Sequence, residues 1–452
     1  MQSREQDLIA AVIMAAGKGT RMKSDLAKVL HPVLGRPMLF KVLESLKEVD
    51  CQLNVLVIGH QGDKVKEACA DFTNLTFAEQ PVQLGTGHAL QCALPRLDNF
   101  NGRVLILSGD MPLISKDVLH ALIDSSINND EAMTLLSANS PEHKDFGRII
   151  RTPNGEVDRI VEAKDCTTEE YQVTEVNLGA YCAKADFLRQ YLPLLQPSNA
   201  QKELYLTDLI KLGREAKKKI GAVVTEDIDC ALGVNSRFDL AKATQVLKER
   251  KLRELMLSGV SVLDPQSTWI EEQVEIAPNT EIWPGTILTG KTIIGSGCVI
   301  GPHTQIKDSV IGEGSYIVHS VLDTAKVEDN VKIGPFAYLR PQAHISSGAK
   351  VGDFVEIKNS NIGEGTKVPH LTYIGDTDIG KRTNIGCGTI TCNYDGKLKH
   401  RTTIGDDVFI GSNSSLVAPV TVGSGAKTGA GAVVTHNIPE GSVVIGVPAR
   451  PM

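Results

Sequence analysis

Ile276 opens a run in which an aliphatic residue returns every six positions: IAPNTE, IWPGTI, LTGKTI, IGSGCV and IGPHTQ, filling 276–305. The run resumes at Val327 as VEDNVK, IGPFAY, LRPQAH, ISSGAK and VGDFVE. It goes on through IGEGTK, VPHLTY, IGKRTN, IGCGTI, IGDDVF, IGSNSS, LVAPVT and VGSGAK. Six is too long for strand alternation and does not fit a 3.6-residue helical turn. It suits a chain wound in short strands around a prism, one aliphatic residue per side pointing inward. Gly often follows the aliphatic residue and a small residue often takes the fifth place, which leaves room for tight turns and close stacking of coils. About eighteen near-consecutive units argue against chance spacing in an Ile/Gly-rich all-β domain. Three units are shortened to five residues: IKDSV (306–310), IKNSN (357–361) and IGDTD (374–378). One long interruption, Thr391–Thr403 (TCNYDGKLKHRTT), is predicted to leave the prism as a loop, where function on a solenoid usually sits.

Working outward, Arg237–Leu257 (RFDLAKATQVLKERKLRELML) reads as one long helix with a periodic apolar face, predicted to be a linker that packs on something. Before it, strands and helices alternate. Ala11–Ala15, Asn54–Ile58, Arg103–Ser108 and Met133–Ala138 read as strands. Met38–Val49, Asp63–Ala70, Gly87–Leu94 and Val118–Ser125 read as helices. This alternation implies a mostly parallel sheet covered on both faces. An insertion from about 145 to 185 looks antiparallel, with FGRIIRT and VDRIVEA flanking a turn at Pro153-Asn154-Gly155. The expected division is an α/β domain over 1–236, a linker helix over 237–258 and a β-helical domain over 259–452.

At 452 residues the chain is long enough for two or three domains, and 42% apolar residues supply their cores. A net charge of −7 without long single-sign runs offers no footprint for nucleic acid or an anionic membrane. Nine scattered cysteines, odd in number and without a CxxC pair, point to reduced thiols in a cytosolic protein. Arg4 followed by apolar Leu8–Ala16 superficially resembles a signal peptide, but the stretch runs straight into Gly17-Lys18-Gly19-Thr20-Arg21, so a buried first strand is predicted. No stretch is long enough to span a membrane, and a cytoplasmic location is expected.

The turn after the first strand, Ala16-Gly17-Lys18-Gly19-Thr20-Arg21-Met22, lets backbone N–H groups approach an anion beside a guanidinium. It lacks the Gly-Lys-Ser/Thr ending of an ATPase loop and the spacing of a dinucleotide fingerprint. Lys28 follows in a turn region, Gln83-Leu84-Gly85-Thr86-Gly87 opens a helix, and Asp110 ends a buried strand at the sheet's carboxyl edge. Asp110 alone could equally be a strand-end cap.

MAAGKGTRM, KVLHPVLGRPML, QLGTGHA, SGDMPL, FGRI, IVEAKD, VNLGAY, LTD and GVNSR occur in this order in sugar-1-phosphate nucleotidyltransferases, which the first half resembles. Joined to a hexapeptide solenoid, the whole chain resembles the bacterial family of bifunctional N-acetylglucosamine-1-phosphate uridylyltransferases/glucosamine-1-phosphate N-acetyltransferases. The resemblance implies a Rossmann-like nucleotidyltransferase domain, then a left-handed parallel β-helix. It also implies that N-acetylglucosamine 1-phosphate attacks the α-phosphorus of UTP, which needs positioning and charge neutralisation but no protein nucleophile. On this resemblance Ala16, Gly17, Gly19, Arg21 and Lys28 face the triphosphate, with Arg21 and Lys28 catalytic. Gln80, Gly85 and Thr86 read uracil, with Gln83 as the alternative to Gln80. Gly147, Glu162 and Asn177 hold the amino sugar. Asp110 and Asn235 ligate Mg²⁺, with Asn235 also near substrate. Pro81-Val82 stands where the family often has Ala-Glu, and Ser108 where it often has Tyr.

In the repeats, Arg340-Pro341 and Glu356-Ile357-Lys358 place basic groups about a coil apart, and Val368-Pro369-His370-Leu371-Thr372-Tyr373 precedes Asn384 and the Asn393-Tyr394-Asp395 excursion. An amine attacking a thioester must lose a proton, a task suited to histidine near neutral pH, and Arg and Lys suit a phosphate. LRP, EIKNS, KVPHLTYIGD and NIGCGTITCNYDG extend the resemblance. It implies His370 as general base and Arg340, Lys358, Tyr373 and Asn384 as ligands of glucosamine 1-phosphate. Cys387, Asn393, Tyr394, Ser412 and Ala430 would bind acetyl-CoA in a homotrimer whose sites are shared. Cys387 replaces the family's usual Ala, and Arg450 is a candidate for a coenzyme-binding arginine. Acetylation would precede uridylylation, giving UDP-N-acetylglucosamine for cell-envelope polymers. A second reading keeps nucleotidyl transfer and makes the solenoid an oligomerisation or regulatory module. A third makes the chain a sugar-nucleotide sensor. The His370–Tyr373 segment opposes the second, and the set Arg21, Lys28, Asp110 and Asn235 opposes the third.

Overall fold

The computed structural model describes residues 8–452, and Arg4 lies outside them. By its internal contacts the chain forms two units, which divide between Leu247 and Lys248, inside the helix Arg237–Leu257. Ser236 and Asp239 start that helix with a reciprocal cap. Asp239 Oδ2 accepts from the Ser236 backbone N–H at 2.9 Å, and Ser236 Oγ accepts from the Asp239 N–H at 3.2 Å.

In the first unit the strand order is Ile220–Val224, Met133–Asn139, Glu175–Lys184, Arg103–Ser108, Ile9–Met14, Leu53–Ile58, Leu75–Glu79. Ile9–Met14 runs parallel to both its neighbours and is apolar throughout because both its faces are covered. Alternation divides it between two cores. Ala11 and Ile13 pack with Leu39 and Val42, whereas Ala10 and Val12 pack with Leu90 and Ala93. Glu175–Lys184 is the antiparallel member, pairing with Arg103–Ser108 and Met133–Asn139. The predicted antiparallel insertion forms as Arg148–Arg151 against Val157–Val161. Leu75–Glu79, Ile220–Val224 and the helices Ala185–Tyr191 and Asp208–Glu215 went unread in the sequence.

The second unit is a three-faced prism, the left-handed parallel β-helix of hexapeptide repeats. Its faces are sheets of 12, 10 and 9 strands, and only the last pair, Val443–Ile445 with Arg450–Pro451, is antiparallel. Inward aliphatic residues stack in columns such as Leu339, Ile357 and Ile374, each fully buried. Each such side chain is worth about 1.5–3 kcal/mol of burial. The apparent gap before Val327 is filled by strands Val310–Ile311, Tyr316–Ile317 and Val321–Asp323, so the solenoid is continuous where the sequence reading broke it. Two further five-residue units, IVHSV from Ile317 and LDTAK from Leu322, explain the break.

Corner geometry separates the two unit lengths. Six-residue units typically place a left-handed residue fourth, as at Asn279, Phe336, Phe354, Leu371, Arg382 and Asn413. All five short units place it third, at Asp308, His319, Thr324, Asn359 and Asp376. The small residue that follows is buried in both types, for example Thr280 and Ser309. The predicted loop is shorter than Thr391–Thr403, because Thr391 and Thr402 are fully buried in strands and the chain leaves the prism only over 393–401.

Candidate active sites

In the first unit, the strand ends Met14 and Ser108 are register partners, which brings Ala16 and Gly17 beside Asp110 at the carboxyl edge of the sheet. The Val234 N–H donates to the Asp110 carbonyl at 2.9 Å, and the cap at Ser236 fixes the following turn, so Asn235 arrives at the same place. Lys28 Nζ joins the two side chains. It forms an ion pair with Asp110 Oδ2 and donates to Asn235 Oδ1 at 2.7 Å. Gly19 has φ 60°, and a Cβ there would lie 2.6 Å from Lys28 Cβ, so glycine is required for Lys28 to pass. A Cβ on Gly17 would meet nothing within 4 Å. Arg21 lies exposed in the turn Thr20–Met22, with no ion pair among the described residues.

Asp110 and Asn235 present two oxygens within reach of one cationic centre, an all-oxygen pair that fits Mg²⁺. Among the described residues no cluster of three acidic, His or Cys side chains forms.

Gln80 is buried, and its amide orientation is settled by partners. Nε2 donates to the Gly85 carbonyl at 3.2 Å, an atom that can only accept, and lies 3.1 Å from His88 Nδ1. Gln80 Oε1 therefore remains for a ligand. Gln83 Nε2 donates to the Ala16 carbonyl at 3.2 Å, which gives Gln83 a role in holding the anion loop. Gly85 has φ 111°, and Thr86 Oγ1 accepts from the Leu206 N–H at 3.1 Å. A cavity of about 580 Å³ is lined in part by Lys18, Gly59, Gln80, Pro81, Val82 and Gln83, so the Pro81-Val82 departure from the family pattern faces it.

Gly147, Glu162 and Asn177 converge. The Asn177 N–H donates to the Gly147 carbonyl at 2.8 Å, and a Cβ on Gly147 would stand 3.5 Å from Glu162 Oε2. Burial pushes the Glu162 carboxyl up, partly offset by the Thr207 hydroxyl that donates to it at 3.2 Å. Thr207 was missed in the sequence, where it stands only as the middle of LTD.

In the second unit, coil stacking assembles the site. Val351 pairs with Val368, Lys367 with Asn384, Ile385 with Ile410 and Phe409 with Lys427. This register puts Asp353, His370, Cys387, Ser412 and Ala430 in one column, each at the third place of its unit along one edge of the prism. Four of these five were expected site residues. Asp353 was not, and its Oδ1 lies 2.6 Å from His370 Nδ1. Across the corner at Leu371, the adjoining face carries Arg340 and Lys358 on successive coils, followed by Tyr373. Arg340 pairs with Glu356 at 2.8 Å. Lys399, from the excursion, approaches Lys358 and holds its ammonium below the usual lysine range. The Asp376 carboxylate offsets part of that shift. Asn384 lies on the face of His370, three residues before the column, and not on the face of Arg340 and Lys358.

Asn393 is buried rather than presented. Its Nδ2 donates to Asp376 Oδ2 at 2.5 Å and lies 3.5 Å from the Tyr373 hydroxyl, which anchors the excursion to the coil beneath. Tyr394 is exposed and donates to the Gly396 carbonyl at 2.7 Å. Arg450 is exposed in the final antiparallel strand. Among the described residues, no helix is long and apolar enough to cross a membrane.

A family model for MobA-like NTP transferase domains matches residues 11–196. A model for bacterial transferase hexapeptide repeats matches 273–308 and 401–436. The chain is 48% identical to Bifunctional protein GlmU of Carboxydothermus hydrogenoformans, over 96% of each chain. It is 46% identical to the protein of the same name from Trichlorobacter lovleyi, over 96% of this chain and 95% of that one. For the Geotalea uraniireducens protein the identity is 46%, over 97% and 96%.

Proposed function

The chain belongs to the family of bifunctional GlmU proteins, and on that premise we propose which residues run each of its two transfers. The solenoid moves an acetyl group from acetyl-CoA to the amine of glucosamine 1-phosphate. The α/β unit then moves a uridylyl group from UTP to the phosphate of N-acetylglucosamine 1-phosphate and releases pyrophosphate.

In acetyl transfer, His370 accepts a proton from the amine as nitrogen attacks the thioester carbon and coenzyme thiolate departs. Arg340, Lys358 and Tyr373 receive the sugar phosphate, and Lys399 joins them. The column Cys387, Ser412 and Ala430 supports acetyl-CoA lying along the edge, with Asn393 and Tyr394 shaping its neighbourhood. Asn384 stands three residues before the His370 column on its own face and off the Arg340–Lys358 face, which supports a homotrimer in which a neighbouring copy completes each site.

In uridylyl transfer, a phosphate oxygen of the sugar forms the new bond to the α-phosphorus, and the bond to the departing pyrophosphate breaks. The Ala16–Gly19 backbone, Arg21 and Lys28 hold the triphosphate, and Lys28 screens Asp110 until phosphates compete for it. Bound Mg²⁺ would neutralise phosphate charge there, held by Asp110 and Asn235. Gln80 Oε1, Gly85 and Thr86 select uracil, and Gly147, Glu162 and Asn177 hold the amino sugar. A cytoplasmic setting, where both nucleotide and acetyl-CoA are available, fits these substrates.

The observation that carries this reading is the single column that aligns His370 with Cys387, Ser412 and Ala430. The test is thiol release from acetyl-CoA on addition of glucosamine 1-phosphate, run beside pyrophosphate release from UTP. Loss of the first alone in His370→Ala supports the assignment. Absence of thiol release in folded wild-type protein overturns it.

A further inference from the structure

The column does not end at His370. One coil earlier, at the same register position, stands Asp353, and its backbone carbonyl accepts the Leu371 N–H at 3.0 Å. That bond locks the two coils immediately beside the histidine. The Asp353 carboxylate and His370 Nδ1, 2.6 Å apart, therefore meet through the stacking of the solenoid rather than by a chance surface encounter.

We propose that Asp353 is a positioning residue for acetyl transfer: it takes the Nδ1–H of His370, so that the ring presents its Nε2 lone pair to the substrate amine. This rests on the assignment of His370 as base. An ionised carboxylate can only accept a hydrogen bond, so the ring nitrogen that faces it must carry the proton. The hydrogen bond from His370 holds the Asp353 carboxyl below the usual carboxylate range, with the Lys350 charge a smaller contribution, so the carboxylate is ionised at neutral pH. Among the described residues, Nε2 of His370 has no partner and is the nitrogen left for chemistry. The corners on either side, Phe354 and Leu371, are left-handed and exposed, so the ring stands at the open edge of the prism.

Magnitude separates this arrangement from a buried triad. Replacing the aspartate of the chymotrypsin-type triad by asparagine costs about 10⁴-fold in kcat, through the wrong histidine tautomer. Here the two side chains are 52% and 39% exposed, so water partly replaces the lost bond. We expect kcat of acetyl transfer to fall about 10- to 100-fold in Asp353→Ala, with KM for glucosamine 1-phosphate and acetyl-CoA within about twofold. Asp353→Asn keeps the shape but can donate to Nδ1 and so permits the other tautomer, and it should lose kcat much as Asp353→Ala does. In the His370→Ala background, Asp353→Ala should cost nothing more, because the two act as one unit. Pyrophosphate release from UTP should stay at the wild-type level throughout.

Nitrogen-15 NMR of histidine-labelled protein reads the tautomer directly: Nδ1 protonated in the wild type, and Nε2 in Asp353→Ala. A kcat within twofold of wild type, a change confined to KM, or a full additional loss in the His370→Ala background would overturn the positioning role. If Asp353→Ala melts early, the Asn variant decides: wild-type stability with reduced kcat supports the proposal, and unchanged kcat overturns it. Retained acetyl transfer in His370→Ala would instead remove the base assignment itself, so the two failures are distinguishable.

Discussion

The two units reach their sites by different routes. In the solenoid, a neighbour is produced by rule: one register offset, applied repeatedly, brings Asp353, His370, Cys387, Ser412 and Ala430 into line. In the α/β unit no rule applies, and Lys28, Asp110 and Asn235 come from three separate chain segments to one point. A periodic scaffold therefore spreads a site along an edge that suits a long ligand such as a coenzyme. An aperiodic one focuses a site on a point that suits a triphosphate.

Removing the focal cation should break this contrast most sharply. Lys28→Ala is expected to lower uridylyl transfer about 10²- to 10³-fold, measured as pyrophosphate release, and to leave thiol release from acetyl-CoA untouched. Equal losses in both assays would show that the sites are not independent. The rule itself is tested at Gly363, where an added Cβ would lie 2.4 Å from the backbone of Gly380 on the next coil. Gly363→Ala should destabilise the solenoid by about 1–3 kcal/mol, seen as an earlier thermal transition, because stacked backbones have nowhere to move.

The same substitution at Gly17 should do the reverse. Stability should shift by less than about 0.5 kcal/mol, while KM for UTP rises, because the space beside Gly17 is free of protein atoms. A melting shift as large as that of Gly363→Ala would refute the reading of this glycine as a ligand approach. The smallest effect is expected at Glu162. Burial raises its carboxyl in the folded state, so its contribution is favourable below the unfolded value, near pH 4.3, and is lost as pH rises through the higher folded one. Glu162→Gln should therefore raise the melting temperature of the α/β unit at pH 8 and leave it unchanged below pH 4.

What could be read in advance follows the same division. Period alone specified the prism, the inward residues and the small buried fifth place. It failed between Ile311 and Val327, where two short units in succession shift the frame twice. Asp353 and Lys399 were invisible because a side chain's neighbours on a solenoid appear only once every unit length is known. In the α/β unit, apolar runs located Ile9–Met14 and Arg103–Ser108, yet Leu75–Glu79 alternates too weakly to stand out. The meeting of Lys28 with Asn235, 207 positions apart, has no local signal at all. Likewise nothing near Gln80 announced that Gly85 and His88 would orient its amide.

The left-handed corner residue, third in a five-residue unit and typically fourth in a six-residue one, gives the solenoid an editing rule. A side of the prism can lose one residue before its corner, and the inward column on the next coil still lands in place. Ile306 stacks on Leu322 and Ile385 on Ile410 in equally regular ladders, although the intervening lengths differ by the short units in one case and the whole excursion in the other. Length changes at corners are thus absorbed locally, as a spiral staircase keeps its pitch when one landing is widened. Insertions gathered at such landings can remodel what the edge binds without disturbing a single step of the core.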